Sequence, residues 1–114
     1  MATVEITASL VSEIKKKFNK KEANEIIDLM FTLEDHPAKG KMLGTVGGIA
    51  IKELKHKGFR FYFITDGFKL KLLDEDAITD LLLRFVRMSD KKQQQQTIEE
   101  IRTILKTIGP KGFR

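Results

Sequence analysis

Thr3-Val4-Glu5-Ile6-Thr7 alternates apolar and polar positions, which predicts a short strand. The period then changes. Leu10, Val11, Ile14 and Phe18 recur at helical spacing, and Thr7 or Ser9 is placed to cap that helix. Asn19-Lys20-Lys21-Glu22 has capping-box spacing, with Asn standing in for Ser or Thr. It opens a second helix whose buried stripe is Ala23, Ile26, Ile27, Met30 and Leu33. Pro37 disfavours a helical residue ahead of it, so the helix ends earlier. Two helices in direct succession predict an αα-hairpin.

Residues 40–48 are glycine-rich and read as a flexible connection. A strand is predicted over 49–54, where the alternation slips near Glu53 and suggests a bulge. A second strand covers 59–64, with Phe59, Phe61 and Phe63 on one side and Arg60, Tyr62 and Ile64 on the other. Asp66-Gly67 is a type I′ hairpin signal. It leads to a strand over 68–73 with Phe68, Leu70 and Leu72 inward. Asp74-Glu75-Asp76 makes an acidic turn, and residues 80–88 read as a fourth strand with Leu81, Leu83 and Phe85 on one face. Gln93 to Gln96 form a polar first turn or linker. Thr97, Ile98, Ile101, Ile104, Leu105 and Ile108 then form a helical stripe that Gly109-Pro110 ends. The tail, 111–114, is expected to fray. Helices grouped in sequence and hairpin-linked strands favour an α+β fold with an antiparallel sheet.

Composition narrows the chemistry. The 114 residues suit one domain, with a core that needs no staple. Without cysteine there is no disulfide framework, thiolate zinc site or thiol nucleophile. That fits a cytoplasmic protein, and no apolar run approaches the ~20 residues that span a bilayer. The formal charge of +5 favours anionic partners. Between residues 52 and 71, Lys52, Lys55, Lys57, Arg60, Lys69 and Lys71 face only Glu53 and Asp66. Between 84 and 92, Arg84, Arg87, Lys91 and Lys92 face only Asp90. The positive charge is thus concentrated in the predicted sheet and the approach to the last helix.

Nucleotide and metal chemistries find little support. Gly44-Thr45-Val46-Gly47-Gly48 lacks the lysine of a phosphate-binding loop. His36 and His56 are not spaced as metal ligands, and His56 lies in a predicted turn between Lys55 and Lys57. The acidic run at 74–76 with Asp80 reads as a solvated turn. No cofactor is implied. The basic residues can bind RNA by neutralising phosphates. Placed more closely, they can stabilise the charge that gathers on a phosphodiester when the 2′-hydroxyl attacks it. The alternative is that these cations only flank apolar strands and block aggregation. Lys15-Lys16-Lys17 with Lys20 and Lys21 reads as a solvated helix end, or as a docking aid for a partner.

The order of these pieces resembles the RelE/ParE/HigB superfamily of toxins from prokaryotic toxin–antitoxin systems. The matching segments are the opening strand with two helices, Asp35-His36-Pro37-Ala38-Lys39-Gly40-Lys41-Met42-Leu43, Ile51-Lys52-Glu53-Leu54-Lys55, and Gly58-Phe59-Arg60-Phe61-Tyr62-Phe63. Leu82-Leu83-Arg84-Phe85 and Ser89-Asp90-Lys91-Lys92-Gln93 follow. The likeness covers roughly residues 4–107, with 74–80 as an insertion, and is nearest to the HigB-like branch. It implies an α+β domain with a mostly antiparallel four- or five-stranded sheet, an N-terminal helical hairpin and a C-terminal helix. It also implies a ribosome-dependent messenger endoribonuclease, held inactive by a cognate antitoxin protein. On that likeness Lys55 and Arg60 grip and polarise the phosphate, Arg84 or Arg87 supplies a later arginine, and Lys91 and Lys92 form the basic pair. Tyr62 matches the family's aromatic position, expected to be structural more than catalytic, and with Lys52, Lys57, Arg87 and Lys92 it is counted toward substrate binding. No tyrosine or histidine follows Lys92, where several such nucleases place an acid–base group. ParE-like members inhibit DNA gyrase without cutting RNA, and a plain nucleic-acid-binding domain is a further alternative.

Overall fold

The computed structural model describes residues 2–72 and 80–114. Its elements in chain order are β1 (Thr3–Ile6), α1 (Ala8–Lys17), α2 (Lys20–Phe31), β2 (Lys41–Val46), β3 (Ile49–His56), β4 (Phe59–Asp66), α3 (Gly67–Leu72), β5 (Leu82–Ser89) and α4 (Gln94–Thr107). Both expected caps form. The Thr7 hydroxyl accepts from the Leu10 N–H at 3.3 Å, and the Asn19 side chain accepts from the Glu22 N–H at 2.8 Å. Each cap satisfies a donor that the first helical turn leaves orphaned, and α1 and α2 make the expected hairpin.

The strands form one sheet in the order β1-β5-β4-β3-β2. β2, β3, β4 and β5 are antiparallel neighbours, but β1 pairs with β5 in parallel. The sheet is therefore mixed, not antiparallel. The sequence between β1 and β5 is long enough to return the chain in the same direction, a link that hairpin signals do not report.

Three local expectations are corrected. Residues 41–46 of the glycine-rich stretch are the edge strand β2, and Gly47 and Gly48, both with positive φ, make its tight turn into β3. Asp66-Gly67 is no hairpin. The Asp66 carboxylate accepts from the N–H groups of Phe68 and Lys69 at 2.9 and 3.1 Å, so it starts the helix α3 where a strand was expected. Phe68 is consequently 71% exposed instead of inward. The tail is docked: Phe113 is 1% exposed, and the Arg114 carbonyl accepts from the Ser9 N–H at 3.1 Å. The bulge expected at Glu53 is absent from the β3–β4 ladder. The register instead shifts in β2 between Met42 and Gly44, and in β5 opposite the Tyr62–Phe63 step. The acidic turn at 74–76 lies outside the described residues.

The sheet is a middle layer. On one face α1 and α2 bring Leu10, Ile14, Ile26 and Met30 against Leu54, Phe61, Phe63, Leu83 and Phe85. On the other, α4 brings Ile98, Ile101 and Leu105 against Ile51, Tyr62, Ile64 and Val86, with Phe113 completing the cluster. A strand covered on both sides loses its alternation. Hence Ala50, Ile51, Lys52, Glu53 and Leu54 of β3 are all buried.

Candidate nucleic-acid interface

Lys55 and Arg60 are direct cross-strand partners in the β3–β4 ladder, and Ser89 is the β5 partner of Arg60. The turn between β3 and β4 is tight because Lys57 and Gly58 both take positive φ, as a two-residue primed turn needs. Directly opposed side chains lie on one face, here the α4 face. The chain then leaves β5 through Asp90, Lys91 and Lys92, the last two exposed, before α4 begins. Asp90 shapes this exit by accepting from the Gln93 N–H at 2.9 Å. Lys55, Arg60, Lys91 and Lys92 thus gather at one end of the sheet. Exposed Lys41 joins them through its register with Glu53.

Arg60 is the unusual member. It is 8% exposed, and among the described residues its Nε is buried with no hydrogen-bond partner, while Nη1 makes a long bond to the Gly58 carbonyl at 3.4 Å. A guanidinium stays charged under all ordinary conditions, so this is a fixed, largely dehydrated cation with unused donors. Glu53 mirrors it. This residue is 1% exposed, and among the described residues both carboxylate oxygens are buried without a partner. Glu53 lies across from Tyr62 and diagonal to Arg60, within the ~7–8 Å at which such pairs still interact. The two buried charges compensate each other at a distance but are not bridged.

Tyr62 is fully buried, and its hydroxyl shares a 2.8 Å hydrogen bond with Ser89 Oγ. Burial chiefly pushes its phenol above the usual range. The negative charges of Glu53 and Asp90 add to this, while the Ser89 bond and Arg60 oppose it. The phenol therefore stays protonated and serves the interior.

The remaining expected site residues lie elsewhere. Lys52 belongs to the α1–α2 face. It is 4% exposed, donates to the Ala38 carbonyl at 2.9 Å, and holds its ammonium 5.8 Å from the Phe63 ring centroid. Burial lowers its pKa from the usual lysine value. Lys57, in the turn, reaches back to Glu25 of α2 at 3.9 Å. Arg87 shares the α4 face but is occupied. Its Nε pairs with Glu100 at 2.8 Å, Nη1 donates to the Val86 carbonyl at 2.8 Å, and its guanidinium covers the Phe113 ring at 5.2 Å. Arg84 sits opposite Ile64, four residues along β4 from Arg60 and so roughly 13 Å away. It binds Glu5 at 3.6 Å and the Pro110 carbonyl at 3.3 Å. His56 pairs with Phe59 on the α1–α2 face, away from Arg60.

Sequence reasoning missed Glu53, Ser89 and Lys41. The slip in alternation at Glu53 was the available clue, since parity with Ile51 puts this acid on a covered face. Among the described residues no group of three or more His, Cys, Asp or Glu could hold a metal, and no helix is long and apolar enough to cross a membrane. Comparisons of the chain with protein-family models, with curated proteins and with solved structures each find no match.

Proposed function

We propose that the chain is a RelE/HigB-like toxin, an endoribonuclease that cuts messenger RNA on the ribosome and is silenced by a cognate antitoxin protein covering its basic end. One observation carries the reading: Arg60 is held charged, buried and under-bonded beside Lys55, Lys91 and Lys92. A phosphodiester supplies the acceptor oxygens that Arg60 lacks, in a setting where charge-assisted bonds are strong. The 2′-hydroxyl attacks phosphorus, its proton passes to solvent water, and Arg60 with Lys55 stabilises the charge on the equatorial oxygens. Lys91 gives a proton to the departing 5′ oxygen, leaving a cyclic phosphate and a 5′-hydroxyl end. The opening strand, the two successive helices and the closing helix also support the family reading, and the lack of cysteine is compatible with the cytoplasmic setting it implies.

The test is a translation reaction with and without the purified protein, followed by mapping of messenger 5′ ends. New ends are expected with the wild type and none with Arg60→Ala, whose melting curve stays cooperative. Equal cutting by both proteins would discard this assignment.

A second reading, binding without cleavage, is favoured by a separate observation. Tyr62 is fully buried and His56 points to the opposite face, so neither can exchange a proton with a ligand at Arg60. A gyrase-directed ParE-like inhibitor or a plain RNA-binding domain would then arrest growth, or not, with messenger ends unchanged.

A further inference from the structure

β1 pairs with β5 only as far as Phe85. Among the described residues no strand covers the outer edge of the last part of β5, and α1 and α4 flank it instead. A cleft of about 250 Å³ opens there, with Met88 and Ser89 as its floor. That is room for several waters, at about 30 Å³ each, or for one flat heterocycle.

The walls are polar and regularly built. α4 presents Gln93, Gln96, Thr97 and Glu100, spaced i, i+3, i+4 and i+7, while its other stripe of Ile98, Ile101 and Leu105 packs on the sheet. α1 answers with Glu13 and Lys17, one turn apart. Phe59 closes the end as an apolar wall, held edge-on by Phe18 with ring centroids 5.1 Å apart. The glutamine run, which the phosphate chemistry leaves unused, is thereby part of a built recess.

We propose that this cleft receives an RNA base next to the phosphate on Arg60, and that it selects guanine over uracil. The inference rests on the phosphate reading above, because Ser89 is both the cross-strand partner of Arg60 and part of the cleft floor. Ser89 lies one strand, about 4.8 Å, across from Arg60, so the cleft floor is within the span of a nucleotide whose phosphate sits on Arg60. Glu13 and Asp90 are acceptors, whereas Lys17 and the amide nitrogens of Gln93 and Gln96 are donors. Guanine matches this mixture: its ring N–H and exocyclic amine meet a carboxylate while its carbonyl meets a donor. Uracil would turn a carbonyl oxygen toward a carboxylate, a repulsive contact that discriminates against it.

Fluorescence anisotropy with the pentaribonucleotides AAGAA and AAUAA at fixed salt tests this. The wild type is expected to bind the guanine-containing strand about tenfold more tightly, the scale of one good base-edge pairing. Gln96→Ala combined with Glu13→Gln is expected to erase that difference, with an unchanged melting temperature. Equal affinity of the wild type for both strands, or a preference that survives the double variant, overturns the cleft as a base reader. The phosphate reading survives that result if Arg60→Ala still weakens both strands. No binding of either strand by the wild type overturns both.

Discussion

Arg60 concentrates the argument because stability and function pull in opposite directions there. A charge held at 8% exposure with an unpartnered Nε costs folding energy, and nothing in its own bonding offsets that cost. Arg60→Met is therefore expected to melt at the same temperature as the wild type or higher, while losing RNA binding; a calorimetric scan beside an anisotropy titration checks both. A clear loss of stability would instead make Arg60 a structural cation. Lys52 provides a contrast on the opposite face, where burial lowers its pKa below the usual lysine value. Between the folded and unfolded values the unfolded chain binds more protons, so stability rises as pH is raised through that window toward about 10.5. Lys52→Met is expected to flatten that alkaline rise, read from denaturation midpoints between neutral and alkaline pH, and to leave RNA affinity alone. Tyr62→Phe removes the partner of Ser89 Oγ and is expected to cost about 1 kcal/mol, seen as a lower denaturant midpoint.

The segment from Asp66 to Leu72 shows how a local rule loses to its surroundings. The Asp-Gly pair fits a hairpin turn, yet Gly67 donates to the Gly48 carbonyl at 2.8 Å, and a Cβ added to Gly67 would lie only 2.7 Å from that oxygen. That contact ties the end of β4 to the turn before β3 and leaves the Asp66 carboxylate free to cap α3. Gly67→Ala is accordingly expected to destabilise more than Asp66→Ala, which forfeits a cap worth about 1 kcal/mol; urea midpoints of the two variants check the order. Elsewhere local rules sufficed. Thr7 and Asn19 cap as their spacing requires, and the faces of β4 follow from parity in Phe59 to Ile64. What escaped the sequence depends on long-range pairing: β1 lying parallel to β5, β2 emerging from a glycine-rich stretch, and α4 covering the face that carries Tyr62 and Ile64. The same covering decides the site. The resemblance named Lys55 and Arg60 together, and the β3–β4 ladder pairs them directly. The burial of Arg60 and Glu53 was not legible, because local parity does not say which face a distant helix covers.

For the molecule as a whole, the distribution of charge matters more than the net +5. Lys55, Arg60, Lys91 and Lys92 crowd one end of the sheet, whereas Arg84 is bonded to Glu5 and Pro110 toward the other end and Lys52 is sealed on the far face. If those four cations make the phosphate contacts, RNA affinity should fall with salt at a log–log slope of about −2.8, since each neutralised phosphate of a single strand contributes about −0.7. Removing Lys91 and Lys92 together should halve the slope to about −1.4, while Arg84→Ala and Lys52→Met should leave it where it was. Anisotropy titrations over a range of salt concentrations measure all four proteins. The result also sizes the contact surface. The lysines at the α1–α2 corner are exposed, and Lys17 lies over Phe59 at 5.2 Å, so the corner adjoins the same end of the sheet. A wild-type slope well steeper than −2.8 would mean that RNA runs on across this corner. A slope near −2.8 leaves Lys15, Lys16, Lys20 and Lys21 as a solvated helix end, with the phosphate contacts confined to the end of the sheet where Arg60 is held.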